Sequence, residues 1–228
     1  MILVPIKNLS LAKQRLAAVL DQASRTKLAQ AMLEDVLAAL NEWHLGRNSR
    51  TPEIALVTSD PFAVKLADNY GFEVILDPDN PGETGAIEMA TRVCLKRGVE
   101  WTLVIPADIP LIQARELEEI FEQAPEQGSV LVPAGDGRGT NAVLRRPADL
   151  FPLRFGNDSF KPHHAAAQAT GKPCVVLQLS GIAVDVDNPE DLQKLIALPG
   201  ETRAQRLARE YAAAAGGQLQ AAASTETP

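Results

Sequence analysis

The sequence contains few of the residues that mark several common protein classes. Aromatic side chains make up only 4% of the 228 residues, and the 2 cysteines, Cys94 and Cys174, have no Cys-x-x-Cys spacing. A disulfide framework and a cysteine-based zinc site are therefore disfavoured, and two isolated thiols in a reducing compartment are expected. The first residues have neither a basic lead nor a long apolar run, so they predict no signal peptide and no membrane span, and a cytoplasmic location is expected.

Positive charge is also scarce. Lys and Arg number 22 against 29 Asp and Glu, which gives a formal net charge of -7. A general nucleic-acid-binding protein needs a basic surface, so no nucleic-acid partner is expected. Neither the P-loop pattern Gly-x-x-x-x-Gly-Lys-Thr nor the dinucleotide pattern Gly-x-Gly-x-x-Gly follows the first predicted strand. Both nucleotide-binding folds are therefore disfavoured, whereas a hydrophobic content of 46% is ample for a core.

Short apolar runs alternate with segments of helical periodicity, which is typical of an α/β protein with a mostly parallel sheet. Strands are predicted at 2–6, 54–57, 73–76, 103–105, 130–132, 141–144 and across 181–187. Helices are predicted at 12–20, after Asp21, at 62–69, 86–97 and 113–123, after Ser159, after Asn188 and from 199 to 215. Residues 1–198 are expected to form one domain, to which 199–228 add a helix and a disordered tail that starts at Gly216.

Asp108 follows the most apolar of the predicted strands, just beyond Pro106. In an open parallel sheet, ligands bind in the crevice outside the carboxyl ends of the strands, so a carboxylate at this position faces solvent, a substrate or a metal. The alternative is that Asp108 forms a turn between two prolines.

Three cations, Lys7, Lys13 and Arg15, follow the first predicted strand, which includes Pro5. The first strand-to-helix connection of such a sheet is the usual place for phosphate groups, although a solvated basic helix face explains the same pattern. Thr58 and Asp60 fall at a second carboxyl end, where nucleotide contact and helix capping before a proline are equally good interpretations.

Two polar loops offer backbone amides to an anion. Residues 134–141 include three glycines followed by Thr140 and Asn141, a pattern that suits either anion binding or a hairpin turn. Residues 154–164 lead into an alanine-rich helix with Asp158 or Ser159 as its cap, so free amides are expected there as well. The two histidines of this loop are more typical of surface or supporting residues than of metal ligands.

Asp185 and Asp187 lie two residues apart in the last predicted strand, so both side chains are expected on one face. A carboxylate on a buried strand needs a partner, and helix capping cannot supply it. Metal binding is the favoured interpretation for Asp185, and for Asp187 a metal-binding and a structural role are left open.

Taken in order, these segments resemble the guanylyltransferases of coenzyme F420 biosynthesis, a family that includes 2-phospho-L-lactate guanylyltransferase and its phosphoenolpyruvate-using relatives. The resemblance spans about residues 1–198. It is carried by Val-Pro-Ile-Lys at 4–7, Ala-Lys-Gln-Arg-Leu at 12–16, Pro-Ala-Asp-Ile-Pro-Leu at 106–111, Gly-Thr-Asn at 139–141, Phe-Gly-Asn-Asp-Ser-Phe at 155–160 and Asp-Val-Asp-Asn-Pro-Glu-Asp-Leu at 185–192.

The resemblance implies a three-layer α/β/α domain similar to nucleotide-diphospho-sugar transferases, with GTP as substrate, Mg²⁺ as cofactor and a three-carbon phospho-acid as acceptor. It also implies that the product passes to the enzyme that loads the deazaflavin. Carried over by position, the resemblance implies that Asp108 and Asp185, with Asp187 beside them, bind the metal, and that Lys13 and Arg15 bind the triphosphate. The implied acceptor site consists of Lys7, Thr140, Asn141, Gly156 and Ser159. The implied catalytic residues are Lys7, Lys13, Arg15 and Asp108.

One departure from the family pattern concerns the helix after the Pro/Gly loop. Where the family usually has a Leu-Asn pair, this chain has Glu83 and Thr84, which puts the identity of the acceptor in doubt. Phosphoenolpyruvate, 2-phospho-L-lactate and 3-phospho-D-glycerate differ by a few atoms, and the sequence does not distinguish them.

Transfer to a phosphate needs no general base, because a phosphate with a second pKa of about 6 is already an ionised nucleophile at neutral pH. Two other functions remain open. One is nucleotidyl transfer to another acceptor, such as a molybdopterin or a sugar phosphate, and the other is a non-catalytic nucleotide-binding domain. The C-terminal helix is a candidate surface for a homodimer.

Overall fold

The computed structural model describes residues 1–46, 54–78 and 82–224, with only the backbone described from 215 onward. Seven strands form one sheet in the order β3-β2-β1-β4-β6-β5-β7. The strands are β1 Ile2–Pro5, β2 Ile54–Val57, β3 Glu73–Ile75, β4 Thr102–Val104, β5 Gly128–Pro133, β6 Thr140–Arg146 and β7 Cys174–Val176. The predicted α/β class with a mostly parallel sheet is confirmed.

Seven α-helices cover the two faces of this sheet. They are α1 Gln22–Leu45, α2 Pro61–Tyr70, α3 Glu83–Lys96, α4 Ala114–Glu122, α5 Phe160–Ala169, α6 Pro189–Ala197 and α7 Arg203–Ser224. Side chains of α1, α2, α4, α6 and α7 share one apolar cluster with one face of the strands, and those of α3 and α5 share a second cluster with the other face. Because successive strand residues point to opposite faces, each central strand contributes side chains to both apolar clusters. The sheet and the helices on its two faces form three layers.

The direction of β6 decides which residues meet at the edge of the sheet where strands end. β6 pairs antiparallel with both β4 and β5, while the pairs that join β1, β2, β3 and β4, and β5 and β7, are parallel. The first residues of β6, Thr140 and Asn141, therefore lie at the same edge as the residues that follow β1 and β4. The loop 134–139 is the β5–β6 hairpin connection, so the hairpin interpretation of this loop is correct.

The helix predicted at 12–20 is wrong. This stretch and the residues before it form two short 3₁₀ turns, Leu9–Leu11 and Gln14–Leu16, and Lys13 between them has left-handed backbone angles. Local and tertiary hydrogen bonds override the helical periodicity here: the Asn8 side chain accepts from the Ser10 amide at 2.9 Å, and Asp60 accepts from the Leu9 amide at 2.9 Å. A left-handed backbone costs a non-glycine residue about 1–2 kcal/mol, so tertiary contacts must hold Lys13 in place.

The strand predicted across 181–187 is also wrong. The segment is an irregular loop that hydrogen-bonds to other loops: the Gly135 amide donates to the Ala183 carbonyl at 2.8 Å, and the Val186 amide donates to the Asp108 carbonyl at 3.2 Å. At the start of the segment, a Cβ on Gly181 would lie 2.2 Å from the Leu111 carbonyl oxygen. The alternating apolar pattern therefore reflects a loop fixed on both sides beside Asp108.

The predicted helix starts at Asp21 and Asn188 are confirmed. The Asp21 side chain accepts from the Ser24 amide at 2.7 Å, and Asn188 forms a capping box with Asp191 at the start of α6. Helix α3 begins at Glu83, three residues before its predicted start at 86, and strand β7 was not predicted. Most of the loop predicted at 44–52, residues 47–52, lies outside the described residues.

Helix α7 packs on α1 and is anchored at its start. Thr202 and Gln205 form a reciprocal capping pair at 3.2 Å in each direction, and the buried Asp35 of α1 accepts from the amides of Arg203 and Ala204 at 3.0 and 2.8 Å. The helix continues to Ser224, so it passes the predicted boundary at Gly216, and 225–228 lie outside the described residues. Within the described part of the chain, no helix is long and apolar enough to cross a membrane.

Candidate active site

Two adjoining cavities open at the edge of the sheet where the parallel strands end. The first, of about 570 Å³, lies between the hairpin loop, the loop 155–159 and the segment 183–187. The second, of about 520 Å³, lies beside the residues that follow β1. The two cavities share Arg15, Glu83, Pro106, Asp108 and Asp187. One continuous cleft therefore brings together residues from the first and last thirds of the chain.

Lys13 lies at the centre of this cleft. Its Nζ atom is 2.6 Å from Asp108 Oδ2 and 2.8 Å from Asp187 Oδ1, and its side chain is only 9% exposed. Burial alone would lower the pKa of this ammonium, but the charges of Asp108 and Asp187 outweigh burial and raise the pKa above its ordinary value. Lys13 is therefore a permanent cation held between two carboxylates.

Arg15 extends the positive charge toward solvent. Its Nη1 atom is 3.7 Å from Asp187 Oδ2, its Nη2 atom donates to Asn157 Oδ1 at 3.4 Å, and its side chain is 63% exposed. Burial works to raise the pKa of Asp187, but Lys13 and then Arg15 lower it below the ordinary value. The ionised Asp187 is thus matched to these two cations, and the exposed guanidinium of Arg15 is available to an incoming anion.

Asp185 lies deeper on the same wall. Asn141 Nδ2 donates to Asp185 Oδ1 at 3.0 Å and to the Ile182 carbonyl at 2.8 Å. Burial raises the pKa of Asp185 more than the Asn141 hydrogen bond lowers it, and Asp108 and Asp187 raise it further. Asn141 therefore orients one carboxylate oxygen, and a cation in the cleft would relieve the repulsion among the three acids.

Glu83, the first residue of α3, lines both cavities. Burial and then the charge of Asp108 raise the pKa of this carboxyl to about 7, although Lys7 and Lys13 act in the opposite direction. Its neighbour Thr84 lines neither cavity; its hydroxyl accepts from the Phe155 amide at 3.0 Å. The departure from the family pattern thus places an acid in the cleft and ties the 155–159 loop to α3.

Thr140 and Ser159 form the opposite wall of the first cavity. Their hydroxyl oxygens are 3.3 Å apart, and Nδ1 of the buried His163 lies 3.0 Å from Thr140 Oγ1. Gly156 lies on the same wall with a φ of +125°, and Asp158 has left-handed angles. The exposed Asp158 pairs with Arg138 across the rim at 2.5 Å, which joins the hairpin loop to the 155–159 loop.

The fold separates the predicted acceptor residues into two groups. Thr140, Asn141, Gly156 and Ser159 line the first cavity, whereas Lys7 lines the second. Pro5, predicted as a nucleotide contact, lines the second cavity as well. Arg15, Asp108 and Asp187 line both cavities and so connect the two groups.

Thr58 and Asp60, predicted as nucleotide contacts, line neither cavity. Asp60 accepts from the amides of Leu9, Phe62 and Ala63, and the Thr58 hydroxyl accepts from the Asp60 amide at 3.0 Å. Because both side chains are buried and hydrogen-bonded to backbone, helix capping explains them, and we do not carry them into the proposed nucleotide site.

The chemistry of this cleft suits a hard divalent cation. In the described ranges, no three or more His, Cys, Asp or Glu side chains are arranged as a ready set of metal ligands. Mg²⁺, however, is usually held by one or two carboxylates together with substrate phosphates. Asp108 and Asp187 already surround one positive charge, that of Lys13, and Asp185 adds a third oxygen donor on the same wall. These residues therefore fit a phosphate-bound Mg²⁺.

The sequence missed two residues of this site. Glu83 reaches the cleft because α3 begins three residues earlier than its apolar pattern predicts, and His163 of α5 contacts Thr140 at the start of β6. The departure from the family pattern marked Glu83 without giving it a role, and the interpretation of the histidines as surface or supporting residues did not connect His163 with Thr140.

Comparison with known proteins identifies the family of this chain. A family model described as "Guanylyl transferase CofC like" matches residues 1–221. The chain belongs to the CofC-like guanylyl transferase family. The match confirms the predicted resemblance and extends it beyond residue 198 into α7.

Curated relatives agree with this membership of the CofC-like family. The chain is 35% identical over 192 residues to the phosphoenolpyruvate guanylyltransferase of Sphaerobacter thermophilus, covering 84% of this chain and 90% of that one. It is 35% identical over 217 residues to the phosphoenolpyruvate guanylyltransferase of Roseiflexus castenholzii, covering 95% and 97%. It is also 33% identical over 198 residues to the 3-phospho-D-glycerate guanylyltransferase of Colwellia psychrerythraea, covering 86% and 91%.

Solved structures support the predicted fold. A putative nucleotide-diphospho-sugar transferase from Desulfovibrio desulfuricans G20 superposes with a TM-score of 0.72 at 18% identity, covering 93% of this chain and 94% of that one. A CMP:2-keto-3-deoxy-manno-octonic acid synthetase complexed with CTP gives a TM-score of 0.55 at 13% identity, covering 86% and 96%. The three-layer fold predicted from the family resemblance is confirmed.

Proposed function

We propose that this protein transfers the guanylyl group of GTP to the phosphate of a three-carbon phospho-acid and releases pyrophosphate, as a step of coenzyme F420 biosynthesis. Phosphoenolpyruvate is the favoured acceptor because most of the similar curated relatives carry its name. The relative named for 3-phospho-D-glycerate keeps that acid as an alternative, and 2-phospho-L-lactate is the third.

One observation carries this proposal: the continuous cleft formed by the two cavities has a lysine-carboxylate cluster where they meet and a hydroxyl-glycine wall in the first cavity. Lys13, Asp108 and Asp187 provide a site for a metal-bound polyphosphate. Thr140 and Ser159 provide hydroxyl groups for a small anion. A reaction that joins two phosphates needs both walls within one cleft, so that acceptor oxygen and α-phosphorus can be aligned.

On the nucleotide wall, Lys13 and Arg15 bind the triphosphate, and Asp108 and Asp185, with Asp187 beside them, would hold Mg²⁺. A bound Mg²⁺ would supply charge neutralisation on the leaving pyrophosphate. The cations of Lys13 and Arg15 stabilise the same negative charge as it develops on the pyrophosphate. Little reorganisation is needed, because both are in place before the reaction begins. Lys7, in the adjoining cavity, extends this positive surface and stays a predicted contact of the acceptor acid.

On the acceptor wall, Thr140, Gly156 and Ser159 bind the phospho-acid, and Asn141 orients Asp185 between the two walls. No general base is required, because a phosphate monoester with a second pKa of about 6 is ionised at neutral pH. The buried histidine behind this wall is unsuited to proton transfer, since burial and then Arg145 lower the pKa of His163 to about 4. The proposed catalysis therefore depends on alignment of the two substrates and on stabilisation of negative charge, not on proton transfer.

The test is to incubate the purified protein and Mg²⁺ with GTP, CTP or ATP against each of the three phospho-acids and a set of sugar phosphates. We expect pyrophosphate release with GTP and one phospho-acid, and mass spectrometry should find the guanosine diphospho-acid. Pyrophosphate release only with a sugar phosphate, or only with CTP, would replace this proposal by another nucleotidyl transfer. Nucleotide binding without any product would favour a non-catalytic domain.

Four further expectations accompany the proposed function. The domain division at residue 198, a cytoplasmic location and a transfer of product to the deazaflavin-loading enzyme stay predictions. A homodimer through α7 also stays a prediction, and light scattering of the full chain before and after truncation at Pro199 would test it.

A further inference from the structure

A buried histidine lies directly behind the acceptor wall. His163 is 0% exposed, and its ring joins three separate parts of the chain. Nδ1 faces Thr140 Oγ1 at 3.0 Å, Nε2 accepts from the Arg154 amide at 2.8 Å, and the ring packs edge-on against Phe155 at 5.1 Å between centroids. Thr140 begins β6, and residues 154–155 lead into the loop that carries Gly156.

These contacts fix the tautomer of His163. A backbone N–H can only donate, so Nε2 must be the unprotonated acceptor of the Arg154 bond. In a neutral ring the other nitrogen then carries the hydrogen, so Nδ1–H donates to Thr140. Protonation of Nε2 would set two donors against each other at 2.8 Å, which agrees with the low pKa of the ring.

The tautomer in turn decides what the two hydroxyl groups offer to the cavity. Thr140 Oγ1 accepts from His163, so the Thr140 hydroxyl hydrogen is not used in the bond to the ring. The bond between the Thr140 and Ser159 hydroxyl groups uses only one of their two hydrogens. Among the described residues, neither hydroxyl has another hydrogen-bond partner, and both residues line the first cavity. Whichever hydroxyl donates within the pair, one O–H remains to point at a ligand. The wall therefore presents a donor, which suits an anionic oxygen.

We propose that His163 is a positioning residue for the acceptor: its Nδ1–H fixes the Thr140–Ser159 pair as a hydrogen-bond donor to an anionic oxygen of the phospho-acid. The inference rests on the proposed function and adds to it a residue that does not touch the substrate. It also predicts that the acceptor presents a carboxylate or phosphate oxygen, not a hydroxyl donor, to Thr140 and Ser159.

Two isosteric substitutions separate this role from simple packing. In His163→Gln the side-chain oxygen can replace Nε2 as acceptor for Arg154, but the donor to Thr140 is lost. In His163→Asn the amide nitrogen can replace Nδ1, so the donor is kept and the Arg154 acceptor is lost. The half-buried neighbour His164, which stacks on Phe160, supplies the matched control His164→Gln.

We expect His163→Gln to raise the KM for the acceptor by about tenfold or more, since a hydrogen bond to a charged group contributes about 1.5–3 kcal/mol. The KM for GTP should stay within about twofold. His163→Asn should recover most of the acceptor KM, and His164→Gln should match wild type. Equal effects of the Gln and Asn variants, or an equal rise in the KM for GTP, would show that His163 acts only in packing.

A double-mutant cycle provides a second measurement. Thr140→Val removes the hydroxyl, so adding His163→Gln to it should weaken acceptor binding no further, whereas independent roles would give additive losses. Calorimetric binding of phosphoenolpyruvate to the same four proteins tests this without turnover.

If wild type binds the acid but makes no product, the proposed function fails while the binding cycle still decides the role of His163. Additive losses in that cycle, or unchanged binding in His163→Gln, would overturn the inference. Thermal unfolding of each variant verifies that the comparison is made on folded protein.

Discussion

The ammonium of Lys13 lies 2.6 Å from Asp108 Oδ2, although 95 residues separate the two in the chain. This contact joins the loop after β1 to the loop after β4 across the carboxyl edge of the sheet. It requires left-handed backbone angles at Lys13, which only a specific tertiary arrangement stabilises. The same lysine reaches Asp187, so one cation joins two carboxylates on the proposed nucleotide wall of the cleft.

Asp108→Asn should abolish most turnover without unfolding the protein. The substitution keeps the shape of the side chain but removes a charge that pairs with Lys13 and that we assign to Mg²⁺. We expect kcat to fall by at least about 100-fold, the loss typical of removing one charge-stabilising group. The exposed Asp68 on α2 lines neither cavity, so Asp68→Asn is the control. Wild-type turnover in Asp108→Asn would refute the assignment.

Glu83→Gln should change how stability depends on pH. The pKa of Glu83 is raised from 4.5 to about 7, so between these values the native state binds more protons than the unfolded chain. The free energy of unfolding contributed by this group therefore falls as pH rises through that window, by on the order of 1 kcal/mol per pH unit.

In urea denaturation, Glu83→Gln should match wild type near pH 4.5 and be the more stable protein at pH 8. The exposed Glu119 on α4 gives the control Glu119→Gln, which should follow wild type at both pH values. A variant that loses stability with pH as steeply as wild type would mean that Glu83 is ionised throughout the range.

Gly181→Ala should destabilise the fold and the cleft together. The new Cβ would lie 2.2 Å from the Leu111 carbonyl oxygen and 2.4 Å from Glu116, and the backbone contact cannot yield without moving the segment that carries Asp185. We expect a loss of about 2–4 kcal/mol in the free energy of unfolding, together with reduced turnover. Gly46→Ala meets only ordinary contacts of 3.5 and 3.6 Å and should change neither quantity appreciably.

Asp35→Ala should loosen α7 while leaving catalysis intact. The substitution removes the acceptor of two backbone amides at the start of α7, which costs about 1–3 kcal/mol. Hydrogen exchange at the Ala204 amide should accelerate more than at amides of β1. The exposed Glu42 on α1 serves as control through Glu42→Ala. An unchanged melting temperature would show that α7 is held by its apolar face alone.

Patterns that depend on local chemistry predicted the fold well. Apolar runs marked the inner strands because both of their faces are buried, and side-chain caps marked α1 and α6. Strand β7, at the edge of the sheet, is only partly buried and was missed. The stretch 181–187 failed because backbone hydrogen bonds to distant loops, which no local pattern encodes, fix it. In the stretch 12–20, Lys13 has left-handed backbone angles and its side chain is held by Asp108 and Asp187, which are also distant in the chain.

The site was predictable where residues follow strand ends. Lys13 and Asp108 follow parallel neighbours, so topology alone brings them to one edge. Thr140 was named through its motif, but its position at this edge depends on the reversed direction of β6. The sequence did not decide that direction, because the loop before β6 suited either a hairpin turn or anion binding. Glu83 and His163 were not assigned to the site, because their roles come from burial and from partners far away in the chain.

The reversal of β6 has a consequence for how substrate preference can change. Strand β6 contributes its first residues to the cleft, and the chain that follows it returns to the same cavity. One uninterrupted stretch, residues 134–164, therefore contains Thr140, Gly156, Ser159 and His163. The opposing wall is assembled from pieces scattered between Lys7 and Asp187. Grafting that one stretch from a relative with another acceptor should exchange the proposed acceptor pocket as one unit, apart from Lys7, and the proposed GTP side would keep its own residues.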